Sequence, residues 1–107
     1  MVDSPLDVTV RVGEVLDAEP FPAARKPELV KLWVDLGEES VRSAAQLGYN
    51  YDPSALVGRQ VLCTTGLGSV RIAGWKSEAL TVGVPDADGH PVLVTPDEGV
   101  PLGGELY

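Results

Sequence analysis

The chain has 107 residues, enough for one domain with a single modest core. Sixteen acids against eight bases give a net charge of −8, the reverse of the basic balance usual in nucleic-acid binders. A single cysteine excludes an intrachain disulfide, and a single histidine excludes the usual Cys/His metal clusters. No apolar run reaches the length of a membrane span, so no membrane role is expected. The acidic start, residues 1–7, lacks the basic-then-apolar pattern of a signal peptide, which sets the expected location as cytoplasmic.

The charge is unevenly placed. Residues 1–19 carry five acids and one base, residues 20–77 five acids and seven bases, and residues 78–107 six acids and no base. All bases but Arg11 therefore fall in the middle of the chain. Only three of the eight bases are lysine, namely Lys26, Lys31 and Lys76. An acidic, lysine-poor surface suits concentrated salt, where hydrated carboxylates preserve solubility, so a halophilic source is expected.

Twelve glycines and nine prolines between short apolar runs indicate strands and turns. Val8, Val10, Val12, Leu16 and Ala18 share one parity and mark a long first strand, with Glu14 breaking the pattern after Gly13. A bulge or bend there lets one strand serve two sides of a small barrel. Pro20 and Pro22 end it, and residues 23–28 read as a polar loop.

A second strand runs from Leu29 to Leu36, with Val30, Leu32, Val34 and Leu36 on one face and Leu29, Lys31, Trp33 and Asp35 on the other. Gly37-Glu38-Glu39 forms a hairpin turn into a third strand, Ser40 to Ala45. Asp52-Pro53 starts a short helix that Gly58 stops. Gln60 to Thr65 is an apolar, central fourth strand containing Cys63, which reads as a small buried hydrophobe.

Gly66 to Ser69 is a loop, and Val70 to Ser77 leads to a fifth strand, Ala79 to Val84, with Leu80, Val82 and Val84 expected inward. Pro85 to Gly89 turns into a last short strand, Pro91 to Thr95. Three strands, one short helix, then further strands is the order of a five-stranded all-β OB-fold Greek-key barrel, here one domain over residues 1–107 with terminal extensions. Another small β-barrel or a sandwich is the alternative.

Three groups of residues suggest binding. Trp33 beside Lys31 can stack a nucleobase while the ammonium meets phosphate, or can pack in an interface or under a loop. Arg71 and Lys76 flank Gly74-Trp75, with Ser77 and Glu78 following; arginine offers forked donors suited to phosphate, and the bland alternative has Trp75 capping the barrel. Arg42, Ser43 and Gln46 form the third group, either phosphate and base contacts or ordinary surface. No nucleotide-binding glycine loop, nucleophile elbow or apolar carboxylate pair is visible, so neither an enzyme nor a cofactor is expected.

Read together, VRVGEVLDAEPFPAARKPELVKLWVDLG (10–37), RSAAQLGYNYDPSALVGRQV (42–61) and RIAGWKSEAL (71–80) resemble the CsaA-type and EMAP-II-like tRNA-binding domains. The ending resembles that of stand-alone CsaA proteins. Residues 66–70 depart from the family pattern, which often has an asparagine and a base-rich loop there. The resemblance implies a non-catalytic OB-fold homodimer that binds tRNA, with export-related chaperone activity proposed for CsaA itself. Carried over by position, the implied contacts are Lys31, Arg42, Ser43, Gln46, Arg71, Lys76, Ser77 and Glu78. A dimer that holds unfolded polypeptides, and a bare dimerisation module, are the competing expectations.

Overall fold

The computed structural model describes residues 8–107. The expectations for residues 1–7 fall outside it. Strand β1 spans Thr9–Pro20, β2 Val30–Asp35 and β3 Ser40–Ala45. A 3-10 turn at Leu47–Tyr49 and helix α1, Pro53–Leu56, follow. Then come β4 (Gln60–Thr65), β5 (Val70–Ile72), β6 (Trp75–Ser77), β7 (Leu80–Thr81), β8 (Gly83–Pro85) and β9 (Pro91–Leu93).

Five antiparallel strands in the order β3-β2-β1-β4-β7 make the main sheet, and β5-β6 and β8-β9 are separate hairpins. The sheet curls until its ends meet. Glu78 and Ala79 donate their backbone N–H groups to the Arg42 carbonyl at 2.8 and 3.2 Å, and the Ser43 and Thr81 hydroxyls bond at 2.8 Å. The result is a nearly closed five-stranded OB-type barrel with its short helix between β3 and β4, as the element order implies.

β1 is shared between two partners, and a bulge lets it do so. Its first half pairs with β4 and its second half with β2. The β1–β2 register passes from Val15↔Val34 to Asp17↔Trp33, which leaves Leu16 as the extra residue. The irregularity thus lies at Leu16 rather than directly after Gly13. It also corrects the parity expectation. Val15 enters the main core, whereas Leu16 is 48% exposed, and Val10 and Val12 join a second apolar cluster with Leu62.

β2 follows its predicted alternation, with Val30, Leu32 and Val34 fully buried. Asp52 caps α1 by accepting from the Ser54 amide at 3.1 Å, and Pro53 occupies the first helical position. Cys63 is buried in the core. The predicted fifth strand divides in two. β7 pairs with β4 and β8 pairs with β9; Leu80 and Val84 face solvent, Ala79 is buried, and Val82 packs against the second apolar cluster as expected. The seam-closing bonds at residues 78 and 79 fix that parity.

The C-terminal segment lies along the first half of β1. Gly103 N–H donates to the Val12 carbonyl at 2.8 Å, Val12 N–H to Gly104 at 2.9 Å, and Leu106 N–H to Val10 at 2.8 Å. Gln60 holds the same segment through its side chain, donating to the Val100 carbonyl at 2.6 Å and accepting from the Val100 amide at 3.1 Å.

Gly13 is required by packing. A Cβ there would collide with Val34 Cγ1 and press on Leu36 Cδ2 at 3.0 Å and the Asp35 carbonyl at 3.1 Å. Gly13→Ala is therefore expected to destabilise the barrel by about 1–3 kcal/mol in urea denaturation, an overpacking cost that Gly99→Ala, in open space, should not incur.

Candidate nucleic-acid interface

On the outer face of β2–β3, alternation places Lys31 and Trp33 beside Arg42, the cross-strand partner of Trp33. The β5–β6 hairpin folds back over this face. Trp75 meets Trp33 edge to face with centroids 5.7 Å apart, and meets Phe21 likewise at 5.8 Å. The Lys31 ammonium lies 4.5 Å from the Phe21 ring centre and 5.6 Å from that of Trp75, and the Arg42 guanidinium lies 5.1 Å from that of Trp75. Glu78 reaches Arg42 Nε at 3.5 Å and steadies it.

Lys31, Trp33, Arg42, Trp75 and Glu78 are thus brought into one half-buried cluster. Both indoles are engaged by neighbours, the packing arrangement named above as the alternative to base stacking. The cluster's visible effect is to hold the hairpin on the sheet.

The remaining sequence candidates separate. Ser43 is fully buried and bonded to Thr81, and Ser77 is 5% exposed, its hydroxyl accepting from the Ala44 amide at 3.2 Å. Both hydroxyls serve the barrel seam. Gln46 Nε2 donates to the Pro27 carbonyl at 3.1 Å and ties down the 21–29 loop. Arg71 and Lys76 are cross-strand partners and share the hairpin face opposite Trp75.

A groove of about 660 Å³ opens between the 21–29 loop and the hairpin. Its charged lining residues are Arg25, Lys26 and Arg71, and no carboxylate lines it. Leu29, Val70, Ile72 and Leu80 supply apolar surface. Arg71 Nη1 donates to the Gly74 carbonyl at 3.2 Å, which restrains it at the rim.

The opposite wall is held by the backbone. Phe21 N–H bonds to the Leu29 carbonyl at 2.9 Å, and Gly48 N–H bonds to the Glu28 carbonyl at 3.0 Å. Glu28 adopts φ 57°, and Gly48 leaves no room for a Cβ beside it. Arg25 and Lys26 are the residues that sequence reasoning left in a featureless polar loop. The surplus of bases in residues 20–77 was the available signal.

Among the described residues, Asp86, Asp88 and His90 offer ligand atoms within 4.8 Å of one another. Their geometry is already used. Asp86 accepts from Asn50 Nδ2 at 3.0 Å and from the Asp88 and His90 amides at 2.9 Å each, and the Asn50 bond foremost holds its carboxyl below the usual value. His90 stacks on Tyr49 at 3.8 Å. Burial pushes the Cys63 thiol up to about 11, so it is a packing group rather than a nucleophile.

Comparison with known proteins agrees with this architecture. Residues 10–105 match the family described as "Putative tRNA binding domain". The chain belongs to this tRNA-binding domain family. Two curated relatives are the methionine--tRNA ligases of Bacillus subtilis, 35% identical over 98% of the chain, and Methanocaldococcus jannaschii, 33% identical over 92%. The chain spans about 15% of the length of each.

Among solved structures, the chaperone CsaA of Bacillus anthracis is similar with a TM-score of 0.85 and 34% identity, covering 94% of this chain and 91% of that one. The CsaA chaperone protein of Picrophilus torridus gives 0.84 and 30%, covering 94% and 92%.

The cluster geometry fixes an expectation for the hairpin of this family member. Trp75→Ala removes two aromatic contacts and two cation–π contacts, and should cost about 2–3 kcal/mol in chemical denaturation. Native-state hydrogen exchange should quicken at β5–β6 well before β1–β4.

Proposed function

We propose that this chain is a non-catalytic binder of tRNA or other structured RNA. One observation carries the proposal: a chain of net charge −8 gathers Arg25, Lys26 and Arg71 along one groove without a carboxylate in its lining. Local cation density governs phosphate contact, and the acids elsewhere on the surface oppose only non-specific adhesion. The family assignment supports RNA as the polyanion, since relatives that carry the domain are tRNA ligases.

Three phosphate contacts give a slope of log affinity against log salt of roughly −2 to −3. Affinity for tRNA should fall roughly 15–60-fold between 50 and 200 mM KCl on that basis. Arg25→Ala, Lys26→Ala and Arg71→Ala should each flatten the slope by about 1. An unchanged slope in all three would place the RNA elsewhere on the molecule.

The proposal extends to a homodimer, cytoplasmic and adapted to high salt. Support for the dimer is an apolar hollow of about 560 Å³ whose rim includes Val94, Val100, Leu106 and Tyr107, the last 83% exposed. This hollow adjoins the second apolar cluster of Val10, Val12 and Leu62. Sedimentation velocity should show a dimer that Leu106→Asp converts to monomer, and melting temperature should climb with KCl up to molar concentrations. The same apolar surface, with the CsaA neighbours described as chaperones, favours polypeptide holding as the second reading. Under that reading the three groove substitutions leave capture of a denatured client protein untouched.

A further inference from the structure

The groove joins two chemistries that a double helix cannot use together. Its rim carries three cations, and its floor is aliphatic, with Val70 and Leu80 61% and 57% exposed and Leu29 beneath. A duplex presents phosphates on a convex surface and keeps its bases stacked inside, so it can meet the rim and leave the floor wet. An unpaired nucleotide offers both a phosphodiester for the cations and a flat apolar face for the floor. The volume of about 660 Å³ falls within the range that encloses small ligands, about 300–1,000 Å³.

We propose that the groove between the 21–29 loop and the β5–β6 hairpin seats one unpaired RNA nucleotide. Its phosphodiester and the two that flank it lie on Arg25, Lys26 and Arg71, and its base lies on Val70, Ile72 and Leu80. The inference rests on the RNA-binding reading and specifies what part of the RNA that site takes. The Arg71 guanidinium, restrained by its bond to the Gly74 carbonyl, is placed to fork onto phosphate.

The site has little means of telling bases apart. The one neutral polar side chain in the lining is Ser77, whose hydroxyl is committed to the Ala44 amide at 3.2 Å and the Ala79 carbonyl at 3.5 Å. A base is therefore needed, but its identity matters little.

Anisotropy titrations at fixed salt test this with three RNAs: a hairpin with a short single-stranded 3′ tail, the same hairpin with a blunt end, and the tailed hairpin with abasic tail positions. The tailed RNA is expected to bind about tenfold more tightly than the blunt one, and abasic tails should lose most of that gain. Tails of A, C, G or U should agree within about threefold. Val70→Ser and Leu80→Ser, both at exposed positions, should erase the tail preference, so that each variant binds tailed and blunt RNA equally.

Equal affinity for tailed and blunt RNA would overturn the nucleotide seat and leave the RNA-binding reading standing. So would an abasic tail that binds like an intact one. Failure of every RNA, with a peptide of acidic and apolar residues bound in the groove instead, would overturn both.

Discussion

The Trp75 indole is the contact on which the candidate site depends. The β5–β6 hairpin is outside the main sheet, and two hairpin strands of three residues have too little ladder to hold themselves in place. Edge contacts with Trp33 and Phe21, and the cations of Lys31 and Arg42, anchor it to the outer face of β2–β3. Phe21 begins the loop that carries Arg25 and Lys26, so one aromatic ring braces both walls of the groove. The distance between Arg71 and the loop cations is thereby a packing outcome, set by half-buried rings rather than by the charges themselves.

That division of labour reconciles an acidic protein with the polyanionic ligand proposed for it. Charges separated by more than a Debye length, about 8 Å at physiological ionic strength, barely feel one another. Glu78 is engaged with Arg42 at 3.5 Å, and carboxylates farther from the groove than the Debye length weaken its field mainly at low salt. As salt rises, repulsion from distant acids and attraction from the three cations both fade, and contact with the apolar floor takes a larger share of the binding energy. A groove with cationic rim and aliphatic base suits that regime better than a wholly electrostatic surface would.

The sequence was most legible where one period governed a segment. β2 and β3, the Asp52-Pro53 helix start and the central β4 all follow from alternation or capping. It misled where two neighbours compete for one strand. The bulge at Leu16 shifts the core-facing parity of β1 between Val15 and Ala18, and the seam bonds to Arg42 bury Ala79 and turn Leu80 outward; the Gly13-Glu14 break signals an irregularity in β1 but not its position. Aromatic and basic residues singled out on sequence, Lys31, Trp33, Arg42 and Trp75, lie together as packing partners. The burial of Ser43 and Ser77 and the placement of Arg25 and Lys26 at the groove depend on tertiary closure, which spacing does not encode.

The two surfaces of interest do not compete. The cationic groove draws on the 21–29 loop, Ala44 and residues 70–80, while the apolar hollow draws on Val12, Leu62 and residues 94–107. They share no lining residue. In the proposed dimer each copy then contributes one groove, and a folded RNA long enough to reach both converts the second contact into an intramolecular one. Such linkage multiplies affinity by roughly 10²–10⁴ when the geometry allows both contacts at once. Three groove cations per chain are few for a monomeric RNA binder, and pairing two modest sites by symmetry offsets that shortage without adding a single basic residue.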